Sequence, residues 1–416
     1  MRERVCVLSD SPYFYPPFTA GGSVGQLLQI TKSLRRGGAD AFIVAREPTD
    51  PWDPKTATPE DPPITYVGPA GEQRGKGWGA LLPNLLYVLH AFGFLIANRK
   101  RFDIVLVSGF RLLAVPASLA ARLMGRPCIV RLEDANDLTF TLTKESSERM
   151  GKVGRGIMLA IVRTLYWSAF RLSHRLIAFS PDIASRLIEM GAPPRKVQVI
   201  PNGLDVGTFE PASAEARRAL RERLDLPADK TVFVYTGRLT RSKGVMDLIQ
   251  AWTELASERN DVLLLMLGIE GGGPDGCEAD ARSTLASRGV ASSVLFRGSV
   301  RNVADYLKAS DIFVFLSHGE MLSLSVLEAL AVGLPSLLTT VGAVKYLRRT
   351  PKWGYVVEPR SPSSDVAARL RMLLSERNEW PAMGQAGRAL ATAGYSIDSV
   401  TEQYRSLFQQ LGKSTG

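Results

Sequence analysis

The chain is 416 residues long, which is more than one hydrophobic core normally supports and predicts two domains of roughly 200 residues each. Hydrophobic residues make up 45% and charged residues 22% of the sequence, which excludes the intrinsically disordered and fibrous classes. The net charge of +10 is uneven, because residues 1–200 contain 26 Lys and Arg against 17 Asp and Glu. A basic first half favours phosphates or an anionic membrane as partner, or is simply a solvated surface, and nucleic acid is disfavoured because no known binding motif occurs.

The three cysteines lie far apart and form no Cys-x-x-Cys pair, so neither a zinc site nor a disulfide framework is indicated. A reducing cytoplasm fits this cysteine usage, and the N-terminus shows a strand pattern rather than a signal peptide. The longest apolar run, residues 81–98, contains Pro83, Asn84 and His90 and falls just short of a membrane-spanning length. We expect a buried or membrane-touching helix there.

Short apolar runs rich in β-branched residues predict strands in both halves of the chain. In the first half these runs are 4–10, 41–47, 103–109, 128–134, 175–180 and 197–203, with helical patterns between them such as 26–38 and 113–125. The second half repeats the scheme with strands at 231–237, 262–268, 293–298, 311–317 and 336–340, and it ends with a helical pattern over 396–412. The alternation predicts an α/β fold with parallel sheets covered by helices, and the turn-rich segment 203–211 marks the domain boundary.

A first candidate for ligand contact is the sequence AGGSVG at 20–25, just before a predicted helix. Adjacent glycines allow a bound group to approach the backbone, and a helix N-terminus favours an anion. The spacing is not Gly-x-Gly-x-x-Gly, so the dinucleotide fingerprint is absent. By itself, a Gly-Gly pair is more often only a turn.

A second candidate is TGRLTRSKG at 236–244, which follows a predicted strand directly. Arg238 and Lys243 precede a helix that we expect to begin near Gly244. Cations at a helix N-terminus oppose the macrodipole, so their placement makes better sense if an anion binds between them and the helix. Arg can hold a phosphate bidentately and Lys supplies a compact charge. The alternative is a solvated basic loop.

A third candidate is GEMLSLSVLEALAVGLP at 319–335, which supports two interpretations. Ser325 and Glu328 have the spacing of a capping box at a helix start, with Gly333 closing the helix. Alternatively, Glu320 accepts hydrogen bonds from sugar hydroxyls, Glu328 holds a ribose diol, and the N–H groups of Ser323 to Ser325 face a phosphate.

Together, the second and third segments provide two cations, two helix N-termini and two acceptors for diols, which matches a nucleotide diphosphate-sugar. No Asp-x-Asp occurs, which argues against a metal-bridged diphosphate. With only three histidines in the sequence, a hydrolase triad is not supported. His318, two residues before Glu320, either lines the site or is a loop histidine without a role.

Five segments resemble the retaining glycosyltransferases of the GT-B fold, family-4 type (glycosyl transferases group 1): GGSVGQLLQITKSLRRGGADAFIV, VQVIPNGLDVGTFEP, YTGRLTRSKGVMDLIQAW, ADYLKASDIFVFLS and the Glu-x7-Glu stretch. The resemblance implies two Rossmann-like parallel-sheet domains facing a central cleft. Residues 1–205 would form the acceptor-side domain, 206–395 the nucleotide-sugar (donor) domain, and 396–416 a C-terminal helix that crosses back to the first domain.

The resemblance also implies site residues. Arg238, Lys243 and Glu320 would be catalytic, with the two cations clamping the diphosphate and Glu320 contacting the transferred sugar. The other donor-binding residues would be Gly22, Gly298, Val300, Leu322, Ser323, Leu324, Ser325 and Glu328. Neither a metal nor a cofactor is implied.

The sequence departs from the family pattern at three places. Met321 to Ser323 replace the usual Gly-Phe-Gly, and Gly342-Ala343 replaces a glycine pair. Glu133 and Asp134 stand where a histidine commonly ends the strand. We expect Glu133, Asp134 and His318 in the acceptor or sugar pocket.

The sequence therefore predicts a cytoplasmic retaining transferase that moves a hexose-type sugar from a nucleotide diphosphate to an acceptor. Lipid-linked sugars, polysaccharide ends and small metabolites all remain open as acceptors. The alternatives are a sugar-nucleotide epimerase or glycogen-type phosphorylase of the same fold, and a catalytically silent nucleotide-sugar-binding or membrane-binding protein. Residues 149–175 carry six cations, no acid, and the aromatic pair Tyr166 and Trp167, which predicts either peripheral contact with an anionic membrane or an ordinary core helix with solvated arginines.

Overall fold

The computed structural model describes residues 3–10, 21–47, 60–69, 81–109, 113–132, 151–320, 323–347 and 352–414. The chain divides into two compact units. The first unit combines Met1–Gly203 with Ile397–Gly416, and the second is Leu204–Ser396.

The first unit is built on a parallel sheet of seven described strands in the order β3-β2-β1-β4-β5-β6-β7. The strands are β1 (Arg4–Ser9), β2 (Asp40–Arg46), β3 (Ile64–Val67), β4 (Ile104–Ser108), β5 (Cys128–Arg131), β6 (Arg175–Ala178) and β7 (Val197–Val199). The helices are α1 (Gly21–Arg36), α2 (Leu81–Ala97), α3 (Ala114–Leu123), α4 (Gly151–Leu172), α5 (Pro181–Glu189) and, from the end of the chain, α14 (Ile397–Ser414).

The second unit has a parallel sheet of six described strands in the order β10-β9-β8-β11-β12-β13. The strands are β8 (Thr231–Thr236), β9 (Val262–Leu267), β10 (Val294–Gly298), β11 (Ile312–Phe315), β12 (Ser336–Thr339) and β13 (Gly354–Val357). The helices are α6 (Ala214–Arg223), α7 (Val245–Glu258), α8 (Glu278–Ser287), α9 (Val303–Ala309), α10 (Leu324–Val332), α11 (Val344–Leu347), α12 (Ser363–Ser375) and α13 (Trp380–Tyr395).

The central strands are continuous apolar runs because helices cover both faces of each sheet. Every residue of β4, β8 and β9 is buried. A strand covered on one face only would alternate apolar and polar residues instead. The predicted α/β class with two parallel sheets is therefore confirmed.

Helix α14 completes the core of the first unit, although it comes last in the chain. Its apolar residues recur at helical spacing and pack against α1 and the sheet in one buried cluster, with Ile397, Val400, Tyr404, Leu407, Phe408 and Leu411 on the α14 side. The partners on α1 include Leu27, Ile30 and Leu34.

In both sheets the strand order reverses beside the first strand, between β1 and β4 and between β8 and β11. Open parallel sheets bind ligands outside the carboxyl ends of the strands at such a switch point. In the second unit, the loops that follow β8 and β11 carry Arg238, Lys243 and Glu320. The topology thus brings two of the candidate segments to one place.

Two strands were missed in the sequence, β3 and β13. Both are edge strands of four residues and are only partly buried, so their short sequences ITYV and GYVV lack a strong apolar signal. The apolar run at 81–98 forms α2. No helix in the described part of the chain is long and apolar enough to cross a membrane.

Candidate functional site

The loop between β8 and α7 is held in one shape by its own backbone and by the strand below it. The buried Tyr235 hydroxyl donates to the Arg238 carbonyl oxygen at 2.8 Å, and Arg241–Lys243 form a short 3-10 turn. Gly244 then caps α7 with φ of 70°. A Cβ atom there would lie 1.9 Å from the Leu316 carbonyl oxygen, so only glycine fits.

The three cations of this loop are held differently. Arg241 pairs with Asp280, away from the switch point. Lys243 pairs with Glu320 in the loop after β11. Arg238 is exposed, and its guanidinium has no hydrogen-bond or ion-pair partner among the described residues. It is therefore the cation of the loop that is available to an anionic ligand.

The Lys243–Glu320 pair is partly buried over an aromatic floor. The side chains of Lys243 and Glu320 are 22% and 18% exposed. The Lys243 Nζ atom lies 5.9 Å from the centre of the Phe315 ring, which stacks on Tyr235 with ring centres 5.7 Å apart. A small pocket beside Glu320 is also lined by Phe315 and Ser323. The structure thus brings Lys243, Glu320 and Ser323 together.

Helix α10 begins at Leu324, with Ser323 as its N-cap residue, and no side chain in the described part of the protein caps its first turn. The alternative interpretation of Ser325 and Glu328 as a capping box is therefore wrong, because Ser325 already lies in the helix and Glu328 is its fifth residue. The N–H groups of the first turn have no intrahelical partner, so they can face an anion. The helix ends at Gly333, as the sequence predicted.

Glu328 is a carboxyl group that the fold leaves largely desolvated. Burial raises its pKa to about 7, because the charged form loses hydration without gaining a cation. It has no hydrogen-bond or ion-pair partner among the described residues. A group of this kind can accept two hydroxyl hydrogen bonds from a ligand.

Gly298 ends β10 at the same carboxyl edge of the sheet. Its carbonyl oxygen accepts a 2.8 Å hydrogen bond from the Gly268 N–H group, and its φ of 65° turns the chain away from the sheet. The following Ser299 is exposed and Val300 is partly buried. This turn lies two strands from β8, since β9 separates β10 from β8.

His318 is engaged by protein groups on two sides. Its backbone N–H donates to the Ser242 carbonyl oxygen at 2.9 Å, and its Nε2 atom lies 2.5 Å from Asp247 Oδ2 in the first turn of α7. His318 thus joins the loops after β8 and β11. We predicted His318 in the acceptor or sugar pocket. The structure places it against the loop between β8 and α7, in contact with Ser242 and Asp247.

The remaining predicted residues belong to other parts of the chain. Gly22 is the second residue of α1, so its backbone lies in the first turn of that helix. Leu322, Glu133 and Asp134 lie outside the described residues.

Sequence reasoning missed Asp247 and Tyr235 as parts of this site. Tyr235 reads only as one apolar position of a buried strand, and Asp247 as an ordinary acid in the first turn of a helix. Their contacts could not be read locally, since Asp247 meets a histidine 71 residues further along the chain.

Two family models match separate parts of the chain. Residues 230–376 match the family model for glycosyl transferases group 1, and residues 21–203 match the model for the glycosyl transferase 4-like domain. A D-inositol 3-phosphate glycosyltransferase of Xylanimonas cellulosilytica is 29% identical over 86% of this chain and 85% of its own length. A D-inositol 3-phosphate glycosyltransferase of Streptomyces scabiei is 32% identical, but over 53% of this chain and 50% of its own.

Solved structures share the fold across the whole chain. Sucrose-phosphate synthase from Thermosynechococcus elongatus covers 99% of this chain and 100% of its own, with a TM-score of 0.77 and 20% identity. Anabaena Alr3699/HepE in complex with UDP-glucose covers 98% of this chain and 99% of its own, with a TM-score of 0.74 and 18% identity. Since the two family models together span most of the sequence and GT-B glycosyltransferases share its architecture, the chain belongs to the group 1 glycosyltransferases of the GT-B fold.

Proposed function

We propose that this glycosyltransferase is a retaining enzyme that transfers a hexose-type sugar from a nucleotide diphosphate-sugar without a metal. The observation that carries the proposal is that three features lie on the loops at the β8/β11 switch point: Arg238 and the start of α10, which have no side-chain partner among the described residues, and the Lys243–Glu320 pair. Cationic and N–H donors of this kind suit a diphosphate, and the carboxylates suit hydroxyl groups.

In this proposal each part of the site has one role. Arg238, Lys243 and the N–H groups of Ser323, Leu324 and Ser325 hold the diphosphate. Glu320 binds hydroxyls of the sugar, and Glu328 binds the ribose diol. The turn at Gly298–Val300 borders the nucleobase, and Gly22 and Leu322 are further donor contacts.

The proposed reaction keeps the configuration at the anomeric carbon. The bond from that carbon to the β-phosphate oxygen breaks while the acceptor oxygen forms its bond on the same face, and the acceptor proton moves to the departing phosphate. Charge builds up on the phosphate as the bond breaks. Lys243, already fixed by Glu320, and Arg238 stabilise that charge by preorganised electrostatics.

The comparisons suggest which donor to test first. Anabaena Alr3699/HepE was crystallised with UDP and with UDP-glucose, so we propose a UDP-sugar as donor. For the acceptor we propose a sugar alcohol phosphate, a lipid-linked sugar or a polysaccharide end, the first because of the relatives named as D-inositol 3-phosphate glycosyltransferases. An epimerase of the same fold would instead use the donor alone.

Thermal unfolding with UDP, GDP, ADP, TDP and their glucose conjugates tests the donor proposal. A ligand at a hundred times its dissociation constant adds about 2.7 kcal/mol to the free energy of unfolding. We expect one nucleotide and its glucose conjugate to stabilise the protein. During slow hydrolysis of the donor, we expect the released sugar to keep its anomeric configuration, which NMR measures. A protein that no nucleotide stabilises, or one that converts the donor to an epimer, would overturn it.

We expect activity to survive EDTA. The residues proposed to hold the diphosphate supply cations and N–H groups, and the sequence has no Asp-x-Asp to bridge a metal. Donor hydrolysis measured after chelation should stay within a factor of two of the untreated rate. Activity that stops with EDTA and returns with Mg²⁺ or Mn²⁺ contradicts the metal-free proposal.

We further propose that the first unit contacts an anionic membrane face through α2, α3 and α4. These helices contain no Asp or Glu, and α3 packs against both of the others. Their exposed side chains include large apolar groups, namely Leu82, Leu85, Leu89, Leu119, Leu123, Leu165 and Trp167. Exposed leucines and an aromatic residue beside cations are typical of a membrane-water interface.

A further inference from the structure

The loops that carry Lys243 and Glu320 are joined by more than their ion pair. Two groups of the β11 loop donate to the Ser242 carbonyl oxygen: the His318 N–H at 2.9 Å and the Ser317 hydroxyl at 3.3 Å. The third tie is the side-chain contact of His318 Nε2 with Asp247 Oδ2 at 2.5 Å. On the α7 side, these three ties are made by Ser242 and Asp247, which lie within four residues of Lys243 in the sequence.

The His318–Asp247 contact is the only one of these ties that reaches helix α7 itself. Asp247 is the third residue of α7, whereas Ser242 lies in the turn before it. The imidazole is 19% exposed and the carboxylate 25%, so the bond is partly shielded from water. A charge-assisted hydrogen bond in such a setting is stronger than a neutral one at the surface.

The position of this contact matters for the diphosphate. Lys243 lies between Ser242 and the start of α7, and Glu320 lies two residues after His318. Fixing α7 to the β11 loop therefore fixes both partners of the Lys243–Glu320 pair relative to each other. Misplacing a charged group by about 1 Å is enough to lose a large part of its effect on a bound phosphate.

We propose that His318, acting through Asp247, is a positioning residue that holds Lys243 and the N-terminus of α7 in register for the donor diphosphate. The proposal rests on the nucleotide-sugar function above and adds a residue that touches no substrate. The hydrogen bond to Asp247 needs a donor at the position of the His318 Nε2 atom. The amide nitrogen of a glutamine at residue 318 reaches that position, so the His318→Gln variant keeps the bond. An asparagine, whose shorter amide does not reach, loses it.

The test compares His318→Gln, His318→Asn, Asp247→Ala and the double variant His318→Asn/Asp247→Ala by calorimetry. The probe is whichever of UDP, GDP, ADP and TDP the wild type binds most tightly, together with the nucleoside that lacks its phosphates. We expect His318→Asn and Asp247→Ala to weaken diphosphate binding about tenfold while nucleoside binding changes less than twofold. His318→Gln should stay within twofold of wild type for both ligands.

The double variant separates a shared role from two independent ones. If His318 and Asp247 act as one unit, removing both costs no more binding free energy than removing one. The diphosphate affinity of the double variant should therefore match that of either single variant. Three results would overturn the proposal. The first is equal weakening of diphosphate and nucleoside binding, and the second is additive losses of diphosphate affinity in the double variant. The third is a loss of diphosphate affinity in His318→Gln equal to that in His318→Asn. A wild type that binds no diphosphate more tightly than its nucleoside would refute the proposed donor site itself.

Discussion

Arg238 and Lys243 carry the same formal charge, but only one of them has a side-chain partner among the residues that the structure describes. Lys243 is paired with the partly buried Glu320, whereas the guanidinium of Arg238 is bound by no described residue. Removing Lys243 leaves a carboxylate without its cation, and an unsatisfied polar group of this kind costs about 1–3 kcal/mol. Removing Arg238 leaves no such group.

We therefore expect both Arg238→Ala and Lys243→Ala to lower turnover about 10²- to 10³-fold, the range for loss of one preorganised charge-stabilising donor. Only Lys243→Ala should also lower the free energy of unfolding. Donor hydrolysis and urea denaturation measure the two effects. Arg241→Ala is the matched control, since this cation of the same loop pairs with Asp280 and should keep near-normal turnover. Wild-type turnover in Arg238→Ala would refute its role.

Glu328 should make the stability of the protein depend on pH. Its pKa in the folded chain is about 7, above the ordinary value of 4.5, so its carboxyl group is more easily charged in the unfolded chain. Its contribution is therefore fully present below about pH 4.5 and is lost as the pH rises through 7. The loss amounts to about 3 kcal/mol at most, since each unit of pKa shift corresponds to about 1.4 kcal/mol.

Glu328→Gln removes this titration. We expect the variant to gain stability over the wild type as the pH is raised from 5 to 8, while its affinity for the nucleotide falls because an amide is a poorer acceptor for the ribose diol. Denaturation at both pH values and calorimetry with the nucleotide measure these effects. A difference in stability between variant and wild type that does not change with pH would contradict the assignment.

At the scale of elements, the start of α7 depends on a glycine that packs against a neighbouring strand end. A Cβ at Gly244 would collide with the Leu316 backbone, whereas one at Gly298 would meet open space. Both residues have positive φ, so alanine at Gly298 adds backbone strain of about 1 kcal/mol alone. Gly244→Ala should lower the melting temperature much more than Gly298→Ala and should abolish nucleotide binding. Equal melting temperatures in the two variants would show that the loop shifts to accommodate the added methyl group at Gly244.

Most elements could be predicted because their signals are local. The buried strands β4, β8 and β9 are continuous apolar runs, and α14 shows its apolar stripe in the sequence alone. The start of α10 at Ser323 to Ser325 was predicted, but the sequence could not tell whether Ser323 or Ser325 is the N-cap residue, because both suit that position. The pairing of Lys243 with Glu320 spans 77 residues and depends on strand order, which no local pattern encodes.

At the scale of the whole molecule, the excess positive charge and most of the exposed large apolar side chains of the described residues fall on the first unit. Trp167 is 50% exposed and lies under Arg171, with the guanidinium carbon 4.0 Å from the ring centre. On α3, Leu123 is 68% exposed. An anionic lipid at this surface can bind a cation and an apolar side chain at the same time. Neither a neutral bilayer nor a soluble acceptor can bind both.

We expect the protein to sediment with phosphatidylcholine vesicles in proportion to their phosphatidylglycerol content and to be released by salt. Each basic residue near an anionic surface contributes about 1 kcal/mol, so Arg163→Ala should weaken binding about fivefold. Trp167→Ala and Leu123→Ser should weaken it at every lipid composition, because they remove apolar insertion rather than charge. The matched controls are Arg218→Ala and Ile269→Ser, which remove an exposed cation and an exposed apolar residue from the second unit and should bind like the wild type. Binding that ignores lipid charge, or controls that weaken it equally, would leave α2, α3 and α4 without a membrane role and would favour a soluble acceptor.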